Sequence, residues 1–84
     1  SLNDIQIIRA GLELKSDGAY NKAIKLMEAA LELYPETSYK IFSLFQIAQC
    51  YSELKNSNKA NEFAKKVLAI DENHQGAKNL LTEQ

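Results

Sequence analysis

The chain has 84 residues, 45% of them hydrophobic and 25% charged, with a formal net charge of −1. That length holds one hydrophobic core and leaves no room for a second. Lys and Arg are scattered without a block of like charge, which excludes an electrostatic footprint for nucleic acid or for an anionic membrane surface. No apolar run approaches the roughly 18 residues of a membrane-spanning helix. The chain opens at Ser1 rather than Met, which leads us to expect a piece of a longer sequence.

Ile7, Ala10, Gly11 and Leu14 fall at i, i+3, i+4 and i+7, which predicts a first helix over 3–16, ended by Ser16-Asp17-Gly18. Ala23, Leu26 or Met27, Ala30 and Leu33 continue the pattern in a second helix over 19–34, closed by Pro35. Tyr34 and Tyr39 flank that proline and are expected to pack at the junction of two hairpins. Leu44, Ile47, Ala48 and Tyr51 predict a third helix over 37–55, with Thr37 or Ser38 as its N-cap and Tyr51 largely buried. Ala60, Phe63, Ala64, Val67 and Leu68 predict a fourth over 57–70, capped by Ser57. A short fifth helix covers 73–83, capped by Asn73, with Ala77 and Leu81 facing inward and Lys78, Thr82 and Glu83 outward. No segment alternates with a period of two, so the fold class is all-α, and the short connections make consecutive helices antiparallel hairpins.

The residue types that carry chemistry are few. Cys50 is the only cysteine, so no internal disulfide can form; in its apolar surroundings it reads as a small buried hydrophobe. His74 is the only histidine and reads as a structural or capping residue near a helix start. Four zinc ligands cannot be assembled, and no cofactor is expected. There is no nucleophile–base pair and no Gly-rich phosphate loop, so no enzymatic activity is expected. A lone cysteine fits a cytoplasmic location.

The two hairpins repeat at a separation of 37 residues. Ile7 matches Leu44, Ala10 matches Ile47, Gly11 matches Ala48 and Leu14 matches Tyr51; Ala23 then matches Ala60, Ala30 matches Val67 and Leu33 matches Ile70. A period of this size marks a solenoid of helical pairs, in which stacking buries apolar faces that one hairpin cannot cover alone. The pattern resembles the tetratricopeptide repeat. Its slots hold Ile7, Ala10-Gly11, Leu14, Gly18, Ala23, Met27, Ala30 and Pro35 in the first copy, and Leu44, Ile47-Ala48, Tyr51, Lys55, Ala60, Ala64, Val67 and Glu72 in the second. The resemblance implies antiparallel hairpins stacked as a short right-handed superhelix: repeat one over about 4–37, repeat two over about 41–74 and a capping helix over about 74–83. The second copy lacks the turn glycine and the closing proline. The spacing also exceeds the family's 34 residues, with the extra residues in Glu36-Thr37-Ser38-Tyr39-Lys40 expected to add a turn at the start of the third helix.

Members of this family bind peptides or proteins along a concave face lined by the first helix of each pair. The resemblance carries that face onto Ile5, Ile8, Arg9, Leu12 and Lys15, then Phe42, Phe45, Gln46, Gln49 and Ser52, and finally Asn79. Ile5, Ile8, Leu12, Phe42 and Phe45 are surplus to the core stripes and match in type between the copies, so they are expected to form an apolar groove for a segment of another protein. Arg9, Lys15 and Gln49 would be its polar rim. The same face would also suit a second copy of the chain as a homodimer, or the next part of a longer repeat array. The family's chaperone-tail clamp is disfavoured, because its charged slots here hold Ile8, Leu12, Phe42 and Gln46. The expected partner is a protein or peptide, with no nucleic acid and no membrane.

Overall fold

The computed structural model describes residues 2–83. It contains α1 (Asp4–Ser16), α2 (Tyr20–Leu33), α3 (Lys40–Glu53), α4 (Ser57–Ile70) and α5 (Gln75–Glu83), with no strand among the described residues. α1 pairs with α2 and α3 with α4; α3 also lies along α2, joining the two hairpins, and α5 packs on α4.

Helix starts fall within three residues of where the sequence pattern puts them, the largest difference being at α3. Asn3 Oδ1 accepts from Gln6 N at 2.9 Å and Gln6 Oε1 accepts from Asn3 N at 2.9 Å, a reciprocal capping box for α1. Asn56, rather than Ser57, caps α4 by accepting from Lys59 N at 3.1 Å. His74, rather than Asn73, caps α5: its Nδ1 accepts from Ala77 N at 3.0 Å. α3 begins at Lys40 with no side-chain cap at Tyr39. Thr37 Oγ1 accepts from Tyr39 N at 3.2 Å, one turn ahead of the helix. Its hydroxyl donates to Asp4 Oδ2 on α1 at 2.6 Å. The extra residues of the first repeat therefore form a separate turn, closed by Lys40 N donating to Thr37 O at 3.2 Å, and not an added turn of α3.

Both turns recur although their signature residues do not. Gly18 N donates to Lys15 O and Ala19 N to Leu14 O; 37 residues on, Lys55 N donates to Ser52 O and Asn56 N to Tyr51 O. Gly18 has φ +79° and Lys55 has φ +62°, so Lys55 occupies the left-handed region that glycine adopts without steric cost. Likewise Thr37 N donates to Tyr34 O across Pro35, and His74 N donates to Asp71 O across Glu72. The helices on either side impose the turn geometry in the second copy.

The core runs between the hairpins. Met27 from α2, Ser43, Ile47 and Cys50 from α3, and Val67 from α4 are its largest fully buried side chains. Tyr51 is only half-buried, with its ring 5.6 Å from that of Phe63. The tyrosine therefore lies at the edge of the core instead of within it. On α5 Ala77 is buried as expected, but Leu80 goes deeper than Leu81.

Candidate functional site

On α1, Ile5, Ile8, Leu12 and Lys15 fall at i, i+3, i+7 and i+10 and so form one stripe along the helix. Tyr39, Phe42, Gln46 and Gln49 repeat that spacing along α3. Two tethers set the stripes side by side and running in the same direction. At one end Thr37 bonds to Asp4; at the other Lys15 Nζ donates to the Oε1 atoms of Gln46 and of Gln49, the latter at 2.6 Å.

Between the tethers lies a cleft of about 330 Å³ lined by Ile5, Ile8, Arg9, Leu12, Tyr39 and Phe42. Ile8 is its floor, 4% exposed and packed with Ile7 and Ala30, whereas Phe42 (42%), Tyr39 (40%) and Ile5 (36%) stand open. Tyr39 belongs to this cleft and not only to the hairpin junction. Its position three residues before Phe42 was the signal available in the sequence.

Phe45 and Asn79 lie elsewhere. The Phe45 ring centroid is 4.8 Å from that of His74, and a Cβ on Gly76 would come within 2.7 Å of Phe45 Cζ. Phe45 is therefore the seat on which α5 starts, and Gly76 is the residue small enough to meet it there. Asn79 is exposed and accepts from Gln75 Nε2 at 2.8 Å within α5.

The two ends of the groove differ in character. The cleft end is apolar, with Arg9 exposed at its lip and in no ion pair with a described residue. The other end holds the half-buried Lys15 between two glutamines, beside a hollow of about 210 Å³ that Glu53 and Glu83 also line. Lys15 is thus internally engaged and is not a loose rim charge. Cys50 lies buried behind this end; burial pushes its thiol above the usual range, Lys15 pulls it partly back and Glu53 adds to the rise.

This arrangement can bury apolar side chains and exchange hydrogen bonds. Among the described residues no group of three His, Cys, Asp or Glu could hold a metal ion, and no helix is long and apolar enough to cross a membrane. No curated protein matches the chain. A profile of the tetratricopeptide repeat matches residues 5–73, which takes in both hairpins and the turn that follows them. Repeats of this kind are protein-interaction or scaffold modules, typically without catalysis. With its two stacked helical pairs, the matching turns 37 residues apart and that profile across most of its length, the chain belongs to the tetratricopeptide repeat family.

Proposed function

We propose that this domain binds a segment of another protein in the groove between α1 and α3, with Ile5, Ile8, Leu12 and Phe42 as its apolar contacts and Arg9, Lys15, Gln46 and Gln49 as its polar ones. One observation carries the reading: Ile5, Tyr39 and Phe42 converge on a single cleft while remaining more than a third exposed. Apolar side chains gathered in the open on facing helices mark a surface that gains by being covered. Covering them contributes about 25 cal/mol per Å² of apolar surface, and the cost of association offsets much of that, which points to micromolar affinity. Within this reading Phe45 supports the groove by seating α5, the two repeats and their closing helix act as a scaffold, and the domain carries no catalysis. A cytoplasmic setting suits the buried, unpaired Cys50.

A second reading keeps the face and changes its occupant. The net charge of −1 puts up little repulsion against a second copy of the chain, so the patch could close on itself as a homodimer. Sedimentation across a concentration series, with and without Phe42→Glu, separates the two. A monomer at every concentration keeps the groove open for a partner. A concentration-dependent dimer that Phe42→Glu dissolves assigns the face to self-association. A dimer indifferent to Phe42→Glu leaves the cleft to a partner and places self-association on another surface.

A further inference from the structure

His74 fastens α5 with an acceptor that a proton removes. Its Nδ1 accepts from Ala77 N at 3.0 Å, so that nitrogen carries a lone pair and the hydrogen of the neutral ring sits on Nε2. An imidazolium donates from both nitrogens and accepts at neither. Turning the ring over would only bring a carbon to the place of Nδ1. The ring is also hemmed in: the Phe45 ring lies 4.8 Å away, and a Cβ on Gly76 would come 3.1 Å from Cε1. α5 leans on this bond more than a longer helix would. It has nine residues, fewer than the roughly 12–15 an isolated helix needs, and Gly76, Asn79 and Thr82 among them are poor helix formers.

We propose that His74 is an acid-operated latch: proton uptake at Nδ1 frees the Ala77 amide and loosens α5 from the α3–α4 hairpin. The proton acts twice, because it also sets a positive charge at the positive end of the helix dipole. Asp71 and Glu72 precede His74 in the turn and favour the imidazolium. They are its chain neighbours whether α5 is docked or loose, so their effect largely drops out of the difference. Lys78, whose amide donates to His74 O at 3.1 Å, lies one turn into α5 and opposes the charge while the helix is formed. On α3 the residues one turn from Phe45 are Ile41, Phe42, Ala48 and Gln49, and α4 ends in Val67, Leu68, Ala69 and Ile70; none of these carries charge. Phe45 itself attracts a cation placed over its ring. The two rings are tilted by 48°, and that attraction holds the side chain, not the Ala77 amide. The sign is therefore fixed: α5 is fastened when the ring is neutral and loosens as pH falls. Histidine is the side chain that changes charge between about pH 5 and 8, and His74 is the only one in the chain. What acid frees carries Leu80 and Glu83, two of the residues lining the hollow beside Lys15, and it lies on the far side of the stack from α1. The latch holds or fails whatever occupies the groove.

The test follows the isotopically labelled domain by NMR from about pH 8 to about pH 5.5. Amide-exchange protection, corrected for the intrinsic rate at each pH, is read over α5 and over α3, together with the Ala77 amide and the His74 ring signals. Protection over α5 is expected to fall about fivefold relative to α3, the worth of one helix cap. The Ala77 amide should move with the same midpoint as the His74 ring. His74→Asn supplies a capping side chain that does not titrate, so α5 should stay protected and level across the range. The latch is wrong if α5 and α3 change in parallel, or if the Ala77 amide does not follow the ring. It is equally wrong if His74→Asn keeps the pH dependence. The first two readings come from the unaltered domain and do not depend on any variant folding.

Discussion

Gly11 and Met27 share one helix crossing: a Cβ on Gly11 would lie 2.8 Å from Met27 Cγ. The equivalent pair 37 residues on is Ala48 with Ala64, both fully buried. The absent side chain on α1 compensates for the long one on α2, and two small residues meet the same need between α3 and α4. Replacing Gly11 by Ala gains about 1 kcal/mol of helix propensity. It also forces a fully buried methionine aside, at about 1–3 kcal/mol. We expect Gly11→Ala to destabilise by up to about 2 kcal/mol and Gly11→Leu by more. Because the two positions are coupled, Gly11→Ala should cost less in a Met27→Ala background, which reproduces the pair of the second hairpin. Urea midpoints of the four proteins in the Gly11→Ala/Met27→Ala cycle check this, and strict additivity would contradict it.

Phe42 and Phe45 should respond unequally to truncation. Phe42 is 42% exposed over the cleft, so Phe42→Ala should lower stability by no more than about 1 kcal/mol, well below the cost of emptying a core aromatic. Phe45 meets both His74 and Gly76, so Phe45→Ala should cost about 2 kcal/mol or more. That loss should be concentrated at α5, read as faster amide exchange over Gln75–Glu83 than over α1. Uniformly faster exchange would show that Phe45 belongs to the general core.

Ser43 points the other way. It is fully buried between the hairpins, and its Oγ has no hydrogen-bond partner. An unsatisfied buried hydroxyl costs about 1–3 kcal/mol. Alanine removes that cost and is the better helix former. Ser43→Ala should therefore raise the thermal midpoint, with stabilisation of roughly 1 kcal/mol. A lowered midpoint would mean that a water or a shifted rotamer satisfies the hydroxyl.

Cys50 predicts an alkaline limit. Burial holds its thiol above the ordinary value of 9.0. Above that pH the unfolded chain releases the proton while the folded chain keeps it. The folded state then binds more protons than the unfolded state, and stability falls as pH rises. Well below 9.0 the group contributes no slope. Tyr51, also raised by burial, adds a slope of the same sign above its ordinary 10.0. Between 9.0 and 10.0 the decline should accordingly be shallower in Cys50→Ala, leaving the onset of the Tyr51 contribution. Denaturant midpoints across that interval, compared between the two proteins, measure it; parallel curves would place the titrating group elsewhere.

The repeat was legible because its information is local and doubled. Small residues at Gly11 and Ala48, and large ones at Ile7 and Leu44, recur in register, and both copies fold as helical pairs. The helix starts were less legible where a distant partner competes. Thr37 has the chemistry of an N-cap, but it sits in the turn before α3, where its hydroxyl accepts from Tyr39 N and donates to Asp4, a partner that no local pattern reveals. The groove was legible in outline, since Ile5, Leu12 and Phe42 do converge on one cleft. Its depth was not. Whether an isoleucine at position 5 or 8 faces water depends on how α1 is rolled against α2, and the packing of Ile8 with Ile7 and Ala30 sets that roll. Phe45 looked like a twin of Phe42, but the arrival of α5 after a chain reversal gives it a different neighbour. The engagement of Lys15 with Gln46 and Gln49 spans more than thirty residues and could not be read from spacing on either helix alone.

The two walls of the groove belong to different hairpins. Apart from the bonds of Lys15 with Gln46 and Gln49, α1 and α3 touch only lightly, and most of the contact between the hairpins is where α3 lies along α2. The width of the groove is thus governed from behind, at Met27, Ser43 and Ile47, like the jaws of a clip governed by its spring. Under the proposed function, an occupant wedged between Leu12 and Phe42 would bear on that hidden contact as well as on the walls. Residues that no partner touches would then tune how tightly the jaws close.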